Sequence, residues 1–190
     1  MRLGLFGGRF DPPHLGHLLA AQSAFEALAL DELWFIPAKT PPHKPALASA
    51  DARVQMLLLA TLSNPAFEVS RLELLRDGPS YTFDTVMETK KLRPDATLFF
   101  IIGVDAYADV ASWHRAHELV RAVDMVAVAR PGYTLGNLEP AFRRVQTLET
   151  RLCDVSSTEI RSRLNRRESV RYLLPELVET YLDRTSLYRQ

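Results

Sequence analysis

Hydrophobic residues along this chain follow two alternating patterns. Short apolar runs rich in β-branched and aromatic residues are separated by longer segments in which apolar residues recur every three or four positions. The short runs predict buried strands, and the longer segments predict amphipathic helices. The strands are expected at residues 3–6, 33–36, 67–69, 97–102 and 125–129, with weaker candidates near Val145 and Leu152.

The longer segments have the spacing of helices with one buried face. Their apolar positions are Leu15, Leu18, Phe25 and Leu28; Val54, Leu57, Leu58 and Leu62; Phe83, Val86 and Met87; and Leu174, Leu177, Val178, Tyr181 and Leu182. Strands that alternate with helices predict an α/β fold, here a Rossmann-like doubly wound, mostly parallel sheet with helices on both faces. We expect residues 1–190 to form a single domain that ends in a helical segment at about 157–190.

Charge balance and cysteine content narrow the class of protein. The 23 basic residues equal the 23 acidic ones, so the chain as a whole attracts neither nucleic acid nor an anionic membrane, and neither is expected as a partner. The only cysteine, Cys153, excludes an internal disulfide and suits a reducing compartment. No run approaches the roughly 20 apolar residues of a membrane helix. A cytoplasmic protein is therefore expected, and a homo-oligomer stays open.

The segment between the first predicted strand and the first helix carries the clearest chemistry. Gly7 and Gly8 allow a sharp turn, and a helix that starts just after them offers free N–H groups to an anion. His14 and His17, three residues apart, lie on one helical face and can point at the same phosphate. A zinc site would need about three protein ligands, and Asp11 is the only nearby third candidate. Phosphate contact is therefore preferred, and no metal site is predicted.

Two later segments could complete such a site. Ser156, followed three residues on by Glu159, has the pattern of a capping box, while the hydroxyls of residues 156–158 and the cation of Arg161 could instead form a second anion cradle. Both interpretations stay open. Gly103 and Asp105 follow an apolar strand, where a carboxylate can bind ribose hydroxyls, and Trp113 could stack on a planar ring. Asp105, Asp109, His114 and His117 could also be drawn as a metal cluster, although their spacing does not require one.

Two loops supply further polar groups. The stretch 37–45 holds four prolines, which predicts a stiff loop, and it carries His43 and Lys44 as cationic donors for a phosphate. Residues 78–82 have the composition of a helix N-cap, and the free amides of that helix could bind a carboxylate. Capping without any ligand is the alternative.

Together these motifs resemble the bacterial nicotinate mononucleotide adenylyltransferases, within the nucleotidyltransferase superfamily marked by an H-x-G-H signature. The matching residues run in the family's order across nearly the whole chain: Gly7-Gly8, Phe10-Asp11-Pro12, His14-Leu15-Gly16-His17, Pro41-Pro42-His43-Lys44, Pro79-Ser80-Tyr81-Thr82, Ile102-Gly103-Val104-Asp105, Trp113, Arg130-Pro131-Gly132-Tyr133 and Ser156-Ser157-Thr158-Glu159-Ile160-Arg161. Arg9 departs from the pattern, since the family usually has Ser or Thr there. Related enzymes with another phosphate acceptor, and a non-catalytic nucleotide sensor, are the alternatives.

The resemblance implies transfer of AMP from ATP to the phosphate of nicotinate mononucleotide, with Mg²⁺. It implies that His14, His17 and Arg161 are catalytic and contact the ATP phosphates. The implied ATP-binding set is Gly7, Gly8, Arg9, Phe10, His14, His17, Gly103, Asp105, Arg130, Ser156, Ser157, Thr158 and Arg161. The implied acceptor-binding set is Lys44 at the phosphate, Asp105 at the ribose, Trp113 on the pyridine ring, a backbone amide of Thr82 at the carboxylate, and Tyr81.

Overall fold

Six parallel strands form one sheet at the centre of the molecule. The computed structural model describes residues 1–41, 45–129, 142, 145–149 and 153–189, with the backbone alone at Asp105. The strands are β1 Arg2–Gly8, β2 Glu32–Pro37, β3 Phe67–Val69, β4 Thr97–Gly103, β5 Asp124–Ala129 and β6 Gln146–Glu149. Their order is β3-β2-β1-β4-β5-β6, and every neighbouring pair is parallel. This confirms the predicted doubly wound fold; the weak candidate near Leu152 lies outside the described residues.

Helices connect these strands and cover both faces of the sheet. They are α1 Leu15–Ala27, α2 Ala50–Thr61, α3 Leu72–Leu75, α4 Thr82–Leu92, α5 Val104–Tyr107, α6 Ala116–Ala122, α7 Ser157–Asn165 and α8 Glu176–Thr185, with a 3₁₀ turn at Val110–Ser112. Side chains alternate between the two faces along each strand. Leu3 and Leu5 of β1 therefore enter the core under α4 and α6, whereas Phe6 enters the core under α1 and α2. A third apolar cluster joins α2, α7 and α8 through Met56, Ile160 and Val178.

Two predictions about the helices need correction. Within the segment 157–190 lie two helices, α7 and α8, separated by residues 166–175. Pro175 is the N-cap of α8, so Leu174, expected on that helix, precedes it. On α2 the predicted apolar positions Leu58 and Leu62 are 43% and 73% exposed, and the buried face carries Arg53 instead. None of the helices in the described ranges is long and apolar enough to cross a membrane.

The topology fixes where a ligand can bind. Chain order reverses between β1 and β4, which pair in parallel with Phe6 opposite Ile101. The connections leaving these two strands run to opposite faces of the sheet, and this opens a crevice at the strand carboxyl ends. Gly8 ends β1 and Gly103 ends β4, so the glycines predicted to approach a ligand lie at this crevice.

Candidate functional site

The turn from β1 into α1 is held in one conformation by aromatic packing. Phe10 is 2% exposed and has a positive φ of 50°, and its ring packs edge-on against Phe6 and Phe35. A Cβ on Gly8 would lie 2.8 Å from the Phe10 ring, and one on Gly7 would lie 2.9 Å from the Phe100 ring. Contacts this short require glycine, so the two glycines make room for core aromatic rings. A role in ligand approach comes in addition to this packing role.

His14 and His17 form a close pair at the start of α1. His14 is the N-cap of this helix, and the two rings have centroids 3.7 Å apart and planes at 33°. The His14 backbone N–H donates to His17 Nδ1 over 3.2 Å. In a neutral imidazole that accepts at Nδ1, the proton is on Nε2, which makes Nε2 a donor. Burial, and then the charge of His14, lower the pKa of His17 well below its ordinary value. The pair thus offers a preorganised neutral donor.

Gly16 of the H-x-G-H motif makes room for other parts of the protein. A Cβ there would lie 3.0 Å from His14 Nδ1 and 3.6 Å from the Val155 carbonyl oxygen. The space beside Gly16 is therefore taken by the His14 ring and by the segment that enters α7. The H-x-G-H spacing is thus explained by packing between two parts of the protein.

The turn from β1 into α1, residues 9–14, is called the signature turn. The start of α7 lies against it, although 145 residues separate Ser157 from Pro12. Ser157 Oγ donates to the Pro12 carbonyl over 2.8 Å, and Arg161 Nη1 donates to the Asp11 carbonyl over 2.7 Å. Arg161 Nη2 also donates to Thr158 Oγ1 over 3.2 Å. Ser156 is the N-cap, and its Oγ accepts from the Glu159 N–H over 3.1 Å. Capping and proximity to the turn are thus both present.

Asp11 has a structural role that the sequence did not indicate. It is 2% exposed, and its carboxylate accepts from the Leu47 N–H (2.7 Å), the Ala48 N–H (3.0 Å) and the Tyr188 hydroxyl (2.6 Å). Burial and this carboxylate raise the pKa of Tyr188. Three donors of the protein thus bind this carboxylate. Among the described residues, no group of three or more His, Cys, Asp or Glu is placed to hold a metal ion.

Arg53 is the functional candidate that sequence reasoning missed. Its side chain is 1% exposed, and its guanidinium donates to the carbonyls of Arg9 (2.9 Å), Ala38 (2.7 Å) and Ala48 (3.3 Å). Burial lowers its pKa. The available signal was the position of Arg53 four residues before the buried Leu57 on α2, which places both on one helical face.

The remaining predicted residues fall into three groups. Tyr81 and Thr82 lie beside the segment that carries Trp113, because the Tyr81 ring stacks on the neighbouring His114 with centroids 4.3 Å apart. Thr82 is the first residue of α4, and Tyr81 is its N-cap. Among the described residues, Tyr81 makes no side-chain capping bond, so the side-chain cap predicted from residues 78–82 is wrong. Gly103 and the Asp105 backbone lie at the end of β4 and in α5. Lys44 and Arg130 are outside the described residues.

Ser80 holds a loop in place instead of capping α4. Its Oγ accepts from the Lys39 N–H over 2.9 Å and from the Thr40 N–H over 3.3 Å. Arg9 is half-buried, and none of the hydrogen bonds or ion pairs among the described residues involves its guanidinium.

Comparisons with known proteins identify the family of this chain. A family model described as cytidylyltransferase-like matches residues 5–163. A probable nicotinate-nucleotide adenylyltransferase of Thermus thermophilus is 53% identical over 189 residues, which cover all of both chains. One of Exiguobacterium sibiricum is 45% identical and covers 99% of each chain.

Solved structures support the fold. The nicotinic acid mononucleotide adenylyltransferase of Plasmodium falciparum complexed with NaAD superposes with a TM-score of 0.82 at 19% identity, over 98% of this chain and 97% of that one. The same enzyme complexed with APC gives a TM-score of 0.80, over 98% and 96% of the two chains. At this identity the likeness establishes a shared architecture.

Proposed function

This chain belongs to the nicotinate-nucleotide adenylyltransferases of the cytidylyltransferase-like family, and we propose that the turn between β1 and α1 is where it performs their reaction. AMP passes from ATP to the 5′-phosphate of nicotinate mononucleotide, giving nicotinate adenine dinucleotide and pyrophosphate in NAD biosynthesis. The observation that carries the proposal is the His14–His17 pair at the strand crossover, on the turn to which Arg161 is bonded.

The reaction needs no nucleophile from the protein. A phosphate oxygen of the mononucleotide forms a bond to the α-phosphorus of ATP, and the bond from that phosphorus to the pyrophosphate oxygen breaks. The nucleophile is already an anion, so positioning and charge stabilisation carry the reaction. We assign His17 Nε2 and His14 to the ATP phosphates, and Arg161 to the charge that develops on them. Gly7, Gly8, Arg9, Phe10 and the start of α7 surround the nucleotide.

Mg²⁺ enters the reaction as part of the substrate MgATP. The carboxylate of this turn, Asp11, already accepts three hydrogen bonds from the protein. Mg²⁺ commonly binds through substrate phosphates and retained waters, with few protein ligands. The residues at this turn therefore fit an ion that arrives with the nucleotide.

The acceptor is assigned to the opposite side of the crevice. Thr82 at the start of α4 offers a backbone amide to the nicotinate carboxylate, and Trp113 and Tyr81 provide aromatic surface for the pyridine ring. Asp105 is assigned to ribose, Lys44 to the mononucleotide phosphate and Gly103 and Arg130 to ATP, from the family resemblance. We place the enzyme in the cytoplasm, with small molecules as its partners.

Acceptor choice tests this function. Pyrophosphate release from MgATP is measured with nicotinate mononucleotide, its amide, phosphopantetheine and glycerol phosphate. We expect the acid to be preferred to its amide by at least about a hundredfold in kcat/KM, because an NH₂ group facing a backbone donor leaves both unpaired. A stronger preference for phosphopantetheine or glycerol phosphate, or no turnover with any acceptor, would contradict the proposal.

A substitution at the start of α4 tests the carboxylate contact itself. Thr82→Pro removes one backbone N–H at the first helical position, where proline is tolerated, and Tyr81 already has the extended conformation that proline requires before it. Thr82→Ala keeps the N–H and is the matched control. We expect Thr82→Pro to reduce the preference for the acid and Thr82→Ala to keep it. An equal preference for the acid in both variants would show that another group binds the nicotinate carboxylate.

A further inference from the structure

A buried cation joins the two loops that leave β1 and β2. The phosphate loop is defined as residues 9–14, between β1 and α1, and the acceptor loop as residues 38–41, which follow β2 and precede Lys44 in the sequence. We propose that Arg53 is a positioning residue that fixes these two loops relative to each other, and so sets the attack distance between the two substrates. This inference rests on the proposed function.

The hydrogen bonds of Arg53 begin where the pairing of β1 with β2 ends. The β1–β2 ladder runs to Gly8 opposite Pro37, and the Ala38 N–H then donates to the Gly8 carbonyl over 3.0 Å. Beyond that bond the pairing ends, and the two chains continue into the phosphate loop and the acceptor loop. The guanidinium fills the gap, donating to the Arg9 carbonyl over 2.9 Å and to the Ala38 carbonyl over 2.7 Å. One rigid group therefore replaces the next step of the ladder.

The third bond of Arg53 fixes the direction of its side chain. Nε donates to the Ala48 carbonyl over 3.3 Å, at the start of the helix that carries Arg53. Lysine could not reproduce this arrangement, because the three N–H donors of an ammonium sit on one nitrogen, whereas guanidinium spreads its donors over three nitrogens in fixed directions in one plane. A lysine at this position would hold one loop and release the other.

The acceptor loop is hydrogen-bonded to the segment on the far side of the crevice. Ser80 Oγ accepts from the Lys39 and Thr40 N–H groups, and the Ser80 N–H donates to the Thr40 carbonyl over 3.1 Å. Ser80 directly precedes Tyr81 and Thr82, which we assign to the pyridine ring and its carboxylate. Arg53 therefore acts on the acceptor site through the backbone, at a distance from the reacting atoms.

Attack of phosphate on phosphorus depends steeply on alignment, and a misplacement of about 1 Å can lower the rate about a hundredfold. Loosening the link between the loops should leave each half-site able to bind its own mononucleotide. It should weaken ligands that occupy both halves at once. The signature of positioning is thus a lower kcat at nearly constant KM, with weaker binding of the dinucleotide.

The experiment compares Arg53→Lys with the unmodified enzyme and with Leu57→Ala. Leu57 is fully buried one turn further along α2, in the apolar cluster that also holds Phe10. Its truncation destabilises the same helix and removes no hydrogen bond to either loop. Steady-state kinetics give kcat and KM, and calorimetry gives Kd for AMP, nicotinate mononucleotide and nicotinate adenine dinucleotide. For Arg53→Lys we expect kcat to fall about 10- to 100-fold, both KM values to stay within about threefold, and dinucleotide Kd to rise about tenfold or more. Leu57→Ala should lower the melting temperature and keep kcat and dinucleotide Kd.

Other outcomes overturn the proposal. Unchanged kcat in Arg53→Lys, equal weakening of all three ligands, or the same losses in Leu57→Ala would each show that Arg53 only stabilises the fold. Arg53→Gln, which keeps a donor without the charge, is the second variant. Failure of both Arg53 variants to fold would also refute the positioning role. An unmodified protein that binds nucleotides without forming dinucleotide would instead contradict the proposed function.

Discussion

The two histidines of the H-x-G-H motif depend on each other for their orientation. The His14 backbone holds His17 Nδ1, and the His14 ring fills the space beside Gly16. We expect His14→Ala and His17→Ala each to lower kcat about a hundredfold or more, because losing one preorganised donor to a developing charge costs about 3 kcal/mol. Pyrophosphate release measures the rate, and circular dichroism and thermal melting verify the fold. Near-normal turnover in both folded variants would remove the pair from catalysis.

Burial of His17 predicts a dependence of stability on pH. The folded pKa of His17 is lowered, mainly by burial, so between that value and the ordinary pKa of about 6.5 the unfolded chain binds the proton more readily. The free energy of unfolding should therefore fall as the pH drops through this window, and it should level off below the folded pKa.

Urea unfolding from pH 8 to pH 5 measures this effect, with His17→Gln as the comparison. The variant should lose part of the decline below about pH 6.5, because it lacks the titrating group. Parallel curves for the two proteins would show that His17 titrates normally in the folded state.

At the residue scale, sequence patterns predicted candidate site residues better than the residues that support them. His14, His17 and Arg161 were predicted because they cluster in short motifs, and the structure brings all three to one turn. Arg53 and Asp11 were missed or misinterpreted because their partners are distant in sequence, as with Asp11 and Tyr188, 177 residues apart. A buried arginine among apolar neighbours is recognised only when the carbonyls it binds are known.

Helix α7 combines an N-cap with contacts to the signature turn. Ser156→Ala should lower the free energy of unfolding by about 1 kcal/mol, as is typical for a lost cap, with little change in kcat because Ser157 and Arg161 keep their own bonds to the turn. Ser157→Ala, which removes the bond to Pro12, is the paired variant and should raise KM for ATP more than Ser156→Ala does. Urea unfolding and steady-state kinetics test both. An equal KM for ATP in the two variants would show that the bond from α7 to Pro12 does not support nucleotide binding.

Elements were predicted well where apolar runs were long. The strands β1, β2, β4 and β5 extend the predicted ranges by one or two residues at an end, and β3 matches its range. The break between α7 and α8 was missed because its left-handed residues are Arg167 and Tyr172, with φ of 59° and 64°, and glycine does not mark the turn. Strand order was also beyond the sequence, since apolar runs carry no information about which strands pair.

At the scale of the whole molecule, Tyr188 connects the end of the described chain to its first turn. Tyr188→Phe should lower the free energy of unfolding by about 1 to 3 kcal/mol, because the buried Asp11 carboxylate loses one of its donors. Tyr172→Phe is the matched control, since Tyr172 is 82% exposed. Chemical denaturation followed by circular dichroism measures both. Equal stability of the two variants would mean that Tyr188 contributes nothing through its hydroxyl.

The contacts that hold the signature turn can form only late in the synthesis of the chain. The turn is translated first, but its bonds to Ser157, Arg161 and Tyr188 span 145, 150 and 177 residues. A growing chain can pair β1, β2 and β4 on the ribosome long before those partners exist. Contacts of such long range also form late in folding, because the intervening chain must first be confined. We therefore expect adenylyl transfer to begin only after α7 and Tyr188 have docked on this turn.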